Sequence, residues 1–294
     1  MEKTFCFFVL AICAASAASL PDGRIVGGLP AGANQFRYAV SIQQLSQLNQ
    51  PTRGHKCGGV LISPRHVLTT ASCTDNENTV PTTVINPTEY RVFAGGINLN
   101  NDNNPEQIRV IVNITRHPGY TGSPMFAHNI AVLTLNNPFN STIATPLAIP
   151  HESFQPAEGA ECVTAGWGSQ NLSSSASVTQ MYSRKVITNQ MFCSLMLGAN
   201  ILPSMICASP FDRPTTACVG DFGNGLVCNG GLTGILSMTT PNCQEQAYPE
   251  VYTRVANYTT WIRSATAGAS VIQPGLAALV LFSLLQIITA KIIS

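Results

Sequence analysis

The sequence predicts an all-β protein whose strands form either a sandwich or barrels. The first reason is that short runs of β-branched and apolar residues recur along the chain, with Gly, Pro and Asn between them. The second is that the region between the two ends contains no long stretch with helical periodicity, no internal repeat and no low-complexity linker. The predicted strands lie at residues 38–42, 60–62, 67–70, 90–93, 108–114, 130–135, 162–164, 234–238 and 251–255. Residues 256–264 are the only predicted helix.

Composition and charge narrow the possible functions. The chain has 294 residues, of which 45% are hydrophobic, so it can bury a substantial core. Only 10% of the residues are charged and the formal net charge is +1, so nothing in the charge favours nucleic acid or an acidic membrane surface. We therefore expect a protein partner that is recognised by shape, and no nucleic acid.

The N-terminus has the features of a secretory signal peptide over residues 1–17. Lys3 precedes an apolar run at residues 5–15, and the small residues at 15–17 form a cleavage pattern. The signal peptide contains Cys6 and Cys13, so its removal leaves eight of the 10 cysteines. An even number of cysteines in a secreted chain indicates a disulfide framework.

The C-terminal residues 265–294 are expected to be a hydrophobic anchor signal. An apolar stretch at 275–294 contains the single charge of Lys291, and it follows a small-residue site at 264–266 and a spacer at 267–274. This is the pattern of a glycosylphosphatidylinositol attachment signal, although a retained single-pass anchor or a merely apolar tail would also fit. The mature protein is expected at the outer cell surface.

Four Asn-X-Ser/Thr sequons are candidate glycosylation sites in a secreted protein. They lie at Asn113, Asn140, Asn171 and Asn257. Because this motif is common by chance, we expect only about half of them to be occupied.

A short segment at residues 18–24 precedes the run Arg24-Ile25-Val26-Gly27-Gly28, which has the form of an activation cleavage site. Further motifs follow in order: CGGVLIS from Cys57, VLTTASC ending at Cys73, HPGY from His117, NIAVLTL from Asn129, AGWG from Ala165, MICA from Met205, CVGDFGNGLVCNG from Cys218, and VYTRV from Val251. Together they make residues 25–264 resemble the chymotrypsin/trypsin family of serine proteases (peptidase S1). The resemblance implies two packed six-stranded antiparallel β-barrels, a cleft between them and a short C-terminal helix.

The family's disulfide ladder can be placed on the eight cysteines with none left over. The resemblance implies the pairs Cys57 with Cys73, Cys162 with Cys228, Cys193 with Cys207, and Cys218 with Cys243.

The resemblance also locates the catalytic triad, and all three positions are substituted. Ser72 stands where the family has the histidine base of TAAHC, Asn129 stands where it has the aspartate of DIALL, and Phe222 stands where it has the serine of GDSGGP. A hydroxyl cannot act as a base near neutral pH, and a phenyl ring has no nucleophilic atom. Loss of the nucleophile or the base alone costs about 10⁶ in turnover in a serine protease. The sequence therefore predicts no enzyme activity.

Other histidines are not expected to replace the missing base. His66 lies six residues before Ser72 on a predicted strand, too far away to substitute for it. His128 neighbours Asn129, but successive side chains of a strand point to opposite faces. We expect these two, and His55, His117 and His151, to be structural or surface residues.

The resemblance retains one feature of activation. In the family, cleavage frees an amine like that of Ile25, which pairs with a buried aspartate here represented by Asp221. Cleavage after Arg24 is therefore expected to act as a switch. The alternative is that Asp221 is inherited without this use.

The specificity pocket is altered. Thr216 replaces the aspartate of trypsins at its base, Thr239 replaces a glycine at its mouth, and Met238 stays apolar. No preference for Lys or Arg is expected. Glu250 replaces a glycine and should project into the pocket, where it is either solvated or receives a basic side chain of a partner.

No cofactor and no metal site are expected, because the calcium loop of some family members retains Glu106 but has Gly96 in place of a carboxylate. The leading hypothesis is a non-catalytic binding or regulatory module that engages a protease, an inhibitor or a receptor. The alternatives are a serine endopeptidase with an atypical active site and an adhesion or structural surface protein.

Overall fold

The structure is a computed structural model that describes residues 25–267 except 78, 80, 81, 102, 170, 241, 244 and 246. The predicted signal peptide, the segment at 18–24 with Arg24, and residues 268–294 of the predicted anchor signal lie outside the described residues. Among the helices within the described part, none is both long and apolar enough to span a membrane.

The first barrel is a closed ring of six antiparallel strands, joined in the order β1-β2-β3-β6-β5-β4 and back to β1. The strands are β1 (Ala39–Gln44), β2 (His55–Ser63), β3 (His66–Thr69), β4 (Tyr90–Ala94), β5 (Ile108–Arg116) and β6 (Ala131–Leu135). Each overlaps a run that the sequence predicted, because its β-branched and apolar residues fill the barrel interior.

The second barrel closes in the order β8-β7-β10-β11-β12-β9 and back to β8. Its strands are β7 (Glu161–Gly166), β8 (Met181–Thr188), β9 (Met205–Pro210), β10 (Gly225–Cys228), β11 (Gly231–Met238) and β12 (Glu250–Arg254). The sequence missed β8, β9 and β10. In β8 buried positions alternate with partly exposed ones, but a lysine occupies one buried position and hides the apolar pattern.

Short elements connect these strands. The two-residue strand Leu29–Pro30 pairs with the start of β8, and Asp75–Asn76 pairs with Thr83–Val84. Five 3₁₀ turns lie at Leu45–Gln47, Ser72–Thr74, Pro87–Glu89, Pro105–Gln107 and Val255–Tyr258.

The described residues contain two α-helices, so the prediction of only one helix was wrong. Helix α1 (Gln190–Leu197) begins after Asn189, whose side chain accepts hydrogen bonds from the amides of Met191 and Phe192. It ends at Gly198, which takes the left-handed conformation that terminates many helices. Helix α2 (Thr259–Ala267) is the predicted C-terminal helix, and Trp261 and Tyr258 pack against the apolar core beside it.

Three of the five apolar clusters among the described residues illustrate how the barrels pack. One fills the first barrel around Leu61 and Val92, and another fills the second barrel around Leu226 and Leu236. A third lies where the two barrels and α2 meet. The barrels therefore form one packed body, with a groove along their junction.

Four disulfides cross-link the structure, in the pairs that the resemblance implies: Cys57 with Cys73, Cys162 with Cys228, Cys193 with Cys207, and Cys218 with Cys243. The four sequon asparagines, Asn113, Asn140, Asn171 and Asn257, are all exposed, so each is accessible, and their glycosylation stays a prediction.

Candidate functional site

An open groove of about 1150 Å³ runs between the two barrels. The first barrel and its loops contribute Ser72, Tyr90 and Tyr120 to its lining. The second barrel contributes the segment around Phe222 and the end of β11 at Met238. Both polar and apolar side chains face the groove.

Ser72 and Asn129 meet at the wall of this groove. The Asn129 Oδ1 accepts a hydrogen bond from the Ser72 amide at 2.9 Å, and its Nδ2 donates to the Ser72 Oγ at 3.1 Å. The same Nδ2 donates to Ser237 Oγ at 2.9 Å. Asn129 is fully buried. These contacts join two neutral groups, so they hold the wall in place but offer no proton acceptor for catalysis.

Phe222 lines the groove. Its ring packs against both the core of the first barrel and the core of the second. Its carbonyl accepts a hydrogen bond from the Gly58 amide at 2.8 Å, so a backbone hydrogen bond joins the two barrels at this point. The structure thus brings together the three positions that the resemblance assigned to the triad, and the attacking oxygen is replaced by an apolar ring.

His55 is the histidine that lines the groove. Its Nε2 lies 2.9 Å from the Gly220 carbonyl, and its Nδ1 lies 2.7 Å from Ser41 Oγ. Burial lowers the pKa of His55 to about 4, so its imidazole is neutral at physiological pH. Since both ring nitrogens are engaged, this histidine acts as a structural link between the barrels.

The other histidines make contacts of their own. His128 Nδ1 lies 3.0 Å from the Tyr258 hydroxyl, and its ring stacks on His117 at 4.8 Å. His66 Nδ1 lies 2.8 Å from Ser63 Oγ, and His151 Nδ1 lies 2.8 Å from Ser153 Oγ. None of these four belongs to the lining of the groove among the described residues.

Glu250 is not placed as the sequence suggested. It is neither solvated in an open pocket nor available to a partner, because the protein supplies its own cation. Lys185 of β8 extends its Nζ to within 2.8 Å of the Glu250 Oε1, and both side chains are at most 1% exposed. The Ala217 amide and the Tyr252 hydroxyl each donate a further hydrogen bond to the carboxylate at 2.6 Å. The expectation was wrong because the inward alternation of β8 brings a lysine under the pocket.

The pocket above this ion pair is also closed across its mouth. Thr239 Oγ1 donates a hydrogen bond to the Ala217 carbonyl at 3.1 Å and lies 3.3 Å from Thr216 Oγ1. These contacts join the two walls of the pocket. Met238 and Thr239 both line the groove beside these contacts.

Asp221 lies fully buried behind the groove. It accepts hydrogen bonds from the Gly168 amide at 2.9 Å, the Cys218 amide at 3.0 Å and the Asn224 Nδ2 at 2.9 Å. Burial raises the pKa of Asp221 to about 7 despite these donors. Ile25 is 1% exposed, and Val26 pairs with Thr216, so the start of the described chain is docked in the second barrel. Pairing of Asp221 with a freed amine stays a prediction.

Two residues of the site were missed by sequence reasoning. Lys185 could have been found from the alternation of β8, since Met181, Ser183, Lys185 and Ile187 share the buried face. Asn224 stands where the family motif GDSGGP has a glycine, and that departure was the available signal.

Comparison with known proteins agrees with the fold. The Trypsin family model matches residues 25–262. Kallikrein 1-related peptidase b3 of Mus musculus is 29% identical over 89% of this chain and 97% of its own, and trypsin of Sus scrofa is 31% identical over 84% and 97%. Among solved structures, human heparin binding protein superposes with a TM-score of 0.67 at 28% identity, over 82% of this chain and 96% of that one.

This membership and the four disulfides agree with a secreted, extracellular protein. Two closed six-stranded barrels and a C-terminal helix are the architecture that the resemblance implied. The chain belongs to the trypsin-like serine protease family (peptidase S1).

Proposed function

We propose that this chain is a non-catalytic member of its family, a binding or regulatory module whose groove receives a segment of a protein partner without cleaving it. The observation that carries the proposal is the ring of Phe222 at the nucleophile position, packed into both barrel cores. Beside it, Ser72 and Asn129 hydrogen-bond to each other as neutral groups. Hydrolysis of an amide needs an attacking oxygen and a proton acceptor, and this arrangement has neither.

The groove itself supports binding. It retains about 1150 Å³ of open space, and its rim carries the apolar surfaces of Phe222, Met238 and Val219. Val219 is 51% exposed, so it adds accessible apolar surface to the rim. Because the side-chain pocket is closed by Thr239 and underlain by the Lys185–Glu250 pair, a partner would lie across the surface and not insert a basic side chain.

A similar structure carries a name that refers to binding: heparin binding protein. Heparin is a polyanion, and its capture requires a strong positive potential. This chain has a formal net charge of +1, so we favour a polypeptide partner such as a protease, an inhibitor or a receptor. Tethering at the outer cell surface through residues 265–294 is part of the same proposal and rests on the sequence pattern alone.

Labelling with an active-site fluorophosphonate tests the absence of catalysis. The secreted chain, cleaved after Arg24, is incubated with the probe beside porcine trypsin as a positive control. We expect labelling of trypsin and none of this chain. Specific labelling that a serine-directed inhibitor blocks would establish the alternative function, a serine endopeptidase with an atypical active site, which the peptidase names of the relatives support.

Binding and tethering need separate measurements. Partners captured from the source tissue on wild-type protein should be lost on a Val219→Glu variant, which places a charge on the groove rim. A matched Val112→Glu variant, changed at an exposed valine of β5, should retain them. Equal capture by both variants would point to a structural or adhesive role outside the groove.

Treatment of expressing cells with a phosphoinositide-specific phospholipase tests the anchor. Release of the protein from the cells would support the lipid anchor, and retention would contradict it.

A further inference from the structure

Asn224 sits between the two barrels with no space around its side chain. A Cβ atom added to Gly58 of β2 would lie 1.7 Å from the Asn224 Oδ1, and one added to Gly166 of β7 would lie 1.9 Å from its Nδ2. Since real Cβ contacts do not approach 3.0 Å, both glycines are required for the asparagine to fit. Asn224 is 2% exposed. The slot is thus formed by one glycine from each barrel, and the amide is fixed within it.

The slot orients the side-chain amide of Asn224 towards Asp221. A carboxylate can only accept hydrogen bonds, so the asparagine must present its Nδ2, which lies 2.9 Å from the Asp221 Oδ1. The Asn224 backbone amide also donates to the Asp221 carbonyl at 3.0 Å. A buried carboxylate without donors is costly, and here each oxygen has at least one donor from within the described chain.

The turn that Asp221 supports is part of the groove. Its amide donates to the Cys218 carbonyl at 2.9 Å, and the carbonyl of the preceding Gly220 lies 2.9 Å from His55 Nε2. Val219, Gly220 and Phe222 all line the groove. The position of this segment therefore depends on the hydrogen bonds made by the buried carboxyl group behind it.

We infer that Asn224 is a positioning residue that holds Asp221, and through it the groove segment 218–222, in the binding arrangement before any cleavage after Arg24. In the family pattern a freed amine supplies the partner of this aspartate. In this chain a side-chain amide inside the slot supplies a donor permanently. Cleavage after Arg24 then adds little to the order of the groove, and the groove is available in the uncut protein. The inference deepens the proposed function, since it concerns regulation of the same groove.

Hydrogen exchange of the secreted chain tests this without any partner, so its result is independent of whether the groove binds a protein. The uncut form carries Arg24→Gln. The cut form has an enteropeptidase recognition sequence in place of residues 20–24, so that digestion frees Ile25. Exchange in the wild-type segment 216–224 should differ by less than about twofold between the two forms. Exchange at least about tenfold faster in the uncut form would overturn the inference.

Two substitutions then test the amide itself. Asn224→Gly empties the slot, and Asn224→Leu fills it with a side chain of similar shape that has no donor. In either variant the uncut form should exchange at least about tenfold faster in segment 216–224, and cleavage should restore protection because the freed amine becomes a donor. Unchanged protection in the uncut variants would refute the role of Asn224.

Asn229→Gly, at an exposed residue with a φ of 50°, is the matched control and should leave the hydrogen exchange of segment 216–224 unchanged. If both variants fail to fold, the wild-type comparison alone decides.

Discussion

The ammonium of Lys185 lies 2.8 Å from the carboxylate of Glu250, and both side chains are buried beneath the specificity pocket. The lysine also reaches the Thr215 carbonyl at 3.3 Å and its hydroxyl at 3.2 Å. The two charges therefore neutralise each other inside the protein, and the ammonium makes its further hydrogen bonds to Thr215. The carboxylate of Glu250 is therefore not available to a basic side chain of a partner.

Lys185→Met should destabilise the protein by about 3–5 kcal/mol, because it leaves a buried carboxylate without its cation. The double variant Lys185→Met with Glu250→Gln should recover most of that loss, since the remaining polar group is neutral and still accepts from the Ala217 amide. Urea unfolding at pH 7 measures both. If Lys185→Met is as stable as wild type, the ion pair of Lys185 and Glu250 does not contribute to the free energy of unfolding.

Gly166→Ala should cost about 2 kcal/mol or more, because the new methyl group would overlap the Asn224 side chain. In an Asn224→Gly background the same change should cost much less, since the three nearest atoms to that methyl group all belong to Asn224. A double-mutant cycle of unfolding free energies should give a coupling of about 1–2 kcal/mol. If the two changes in unfolding free energy are additive, the new methyl group of Gly166→Ala must overlap atoms other than those of Asn224.

Acid should weaken the fold through His55. In the unfolded chain its pKa is 6.5, and burial lowers the folded pKa to about 4, so the unfolded state binds more protons between these values. The stabilising contribution is complete above pH 6.5 and is lost as pH falls towards 4. After allowance for partial solvent exposure, we expect wild type to lose about 2 kcal/mol more than His55→Gln between pH 7 and pH 4.5.

Chemical denaturation at the two pH values checks this difference. Asp221, whose pKa is raised and which therefore acts in the opposite direction, is common to both proteins and cancels. Equal losses in wild type and variant would contradict the role of His55.

Restoring the nucleophile alone should not restore catalysis. Phe222→Ser provides a hydroxyl, but no imidazole stands beside it, so we expect no fluorophosphonate labelling of this variant. In the triple variant Phe222→Ser, Ser72→His and Asn129→Asp, the new imidazole and carboxylate stand at two positions that already contact each other, and the new hydroxyl lines the same groove, so this variant should be labelled.

An arginyl substrate should still resist cleavage by the triple variant, because Thr239 closes the pocket above the Lys185–Glu250 pair. Mass spectrometry of the probe adduct and a chromogenic arginyl substrate measure the two outcomes. Labelling of Phe222→Ser alone at a comparable rate would mean that another group acts as the base.

The order of motifs along the chain carried a family resemblance, and that resemblance was sufficient to predict the two barrels, the disulfide pairs and the substituted triad. Each of these depends on residue types at fixed places in local segments, such as Phe222 within its Gly-rich run or Cys57 and Cys73 within their motifs. Helix α1 was missed because it is short and lacks a long periodic pattern, although Asn189 and Gly198 mark its ends.

By itself the sequence determined which atoms are absent from the groove: it has a serine, an asparagine and a phenylalanine where a protease needs an imidazole, a carboxylate and a hydroxyl. Only the tertiary structure decided what the neighbouring polar groups do instead. Lys185 and Glu250 are 65 residues apart in the chain, and Asn224 is confined by glycines of two different barrels. Such contacts depend on barrel closure and on which side chains face inward. No single segment of the chain predicts either of these.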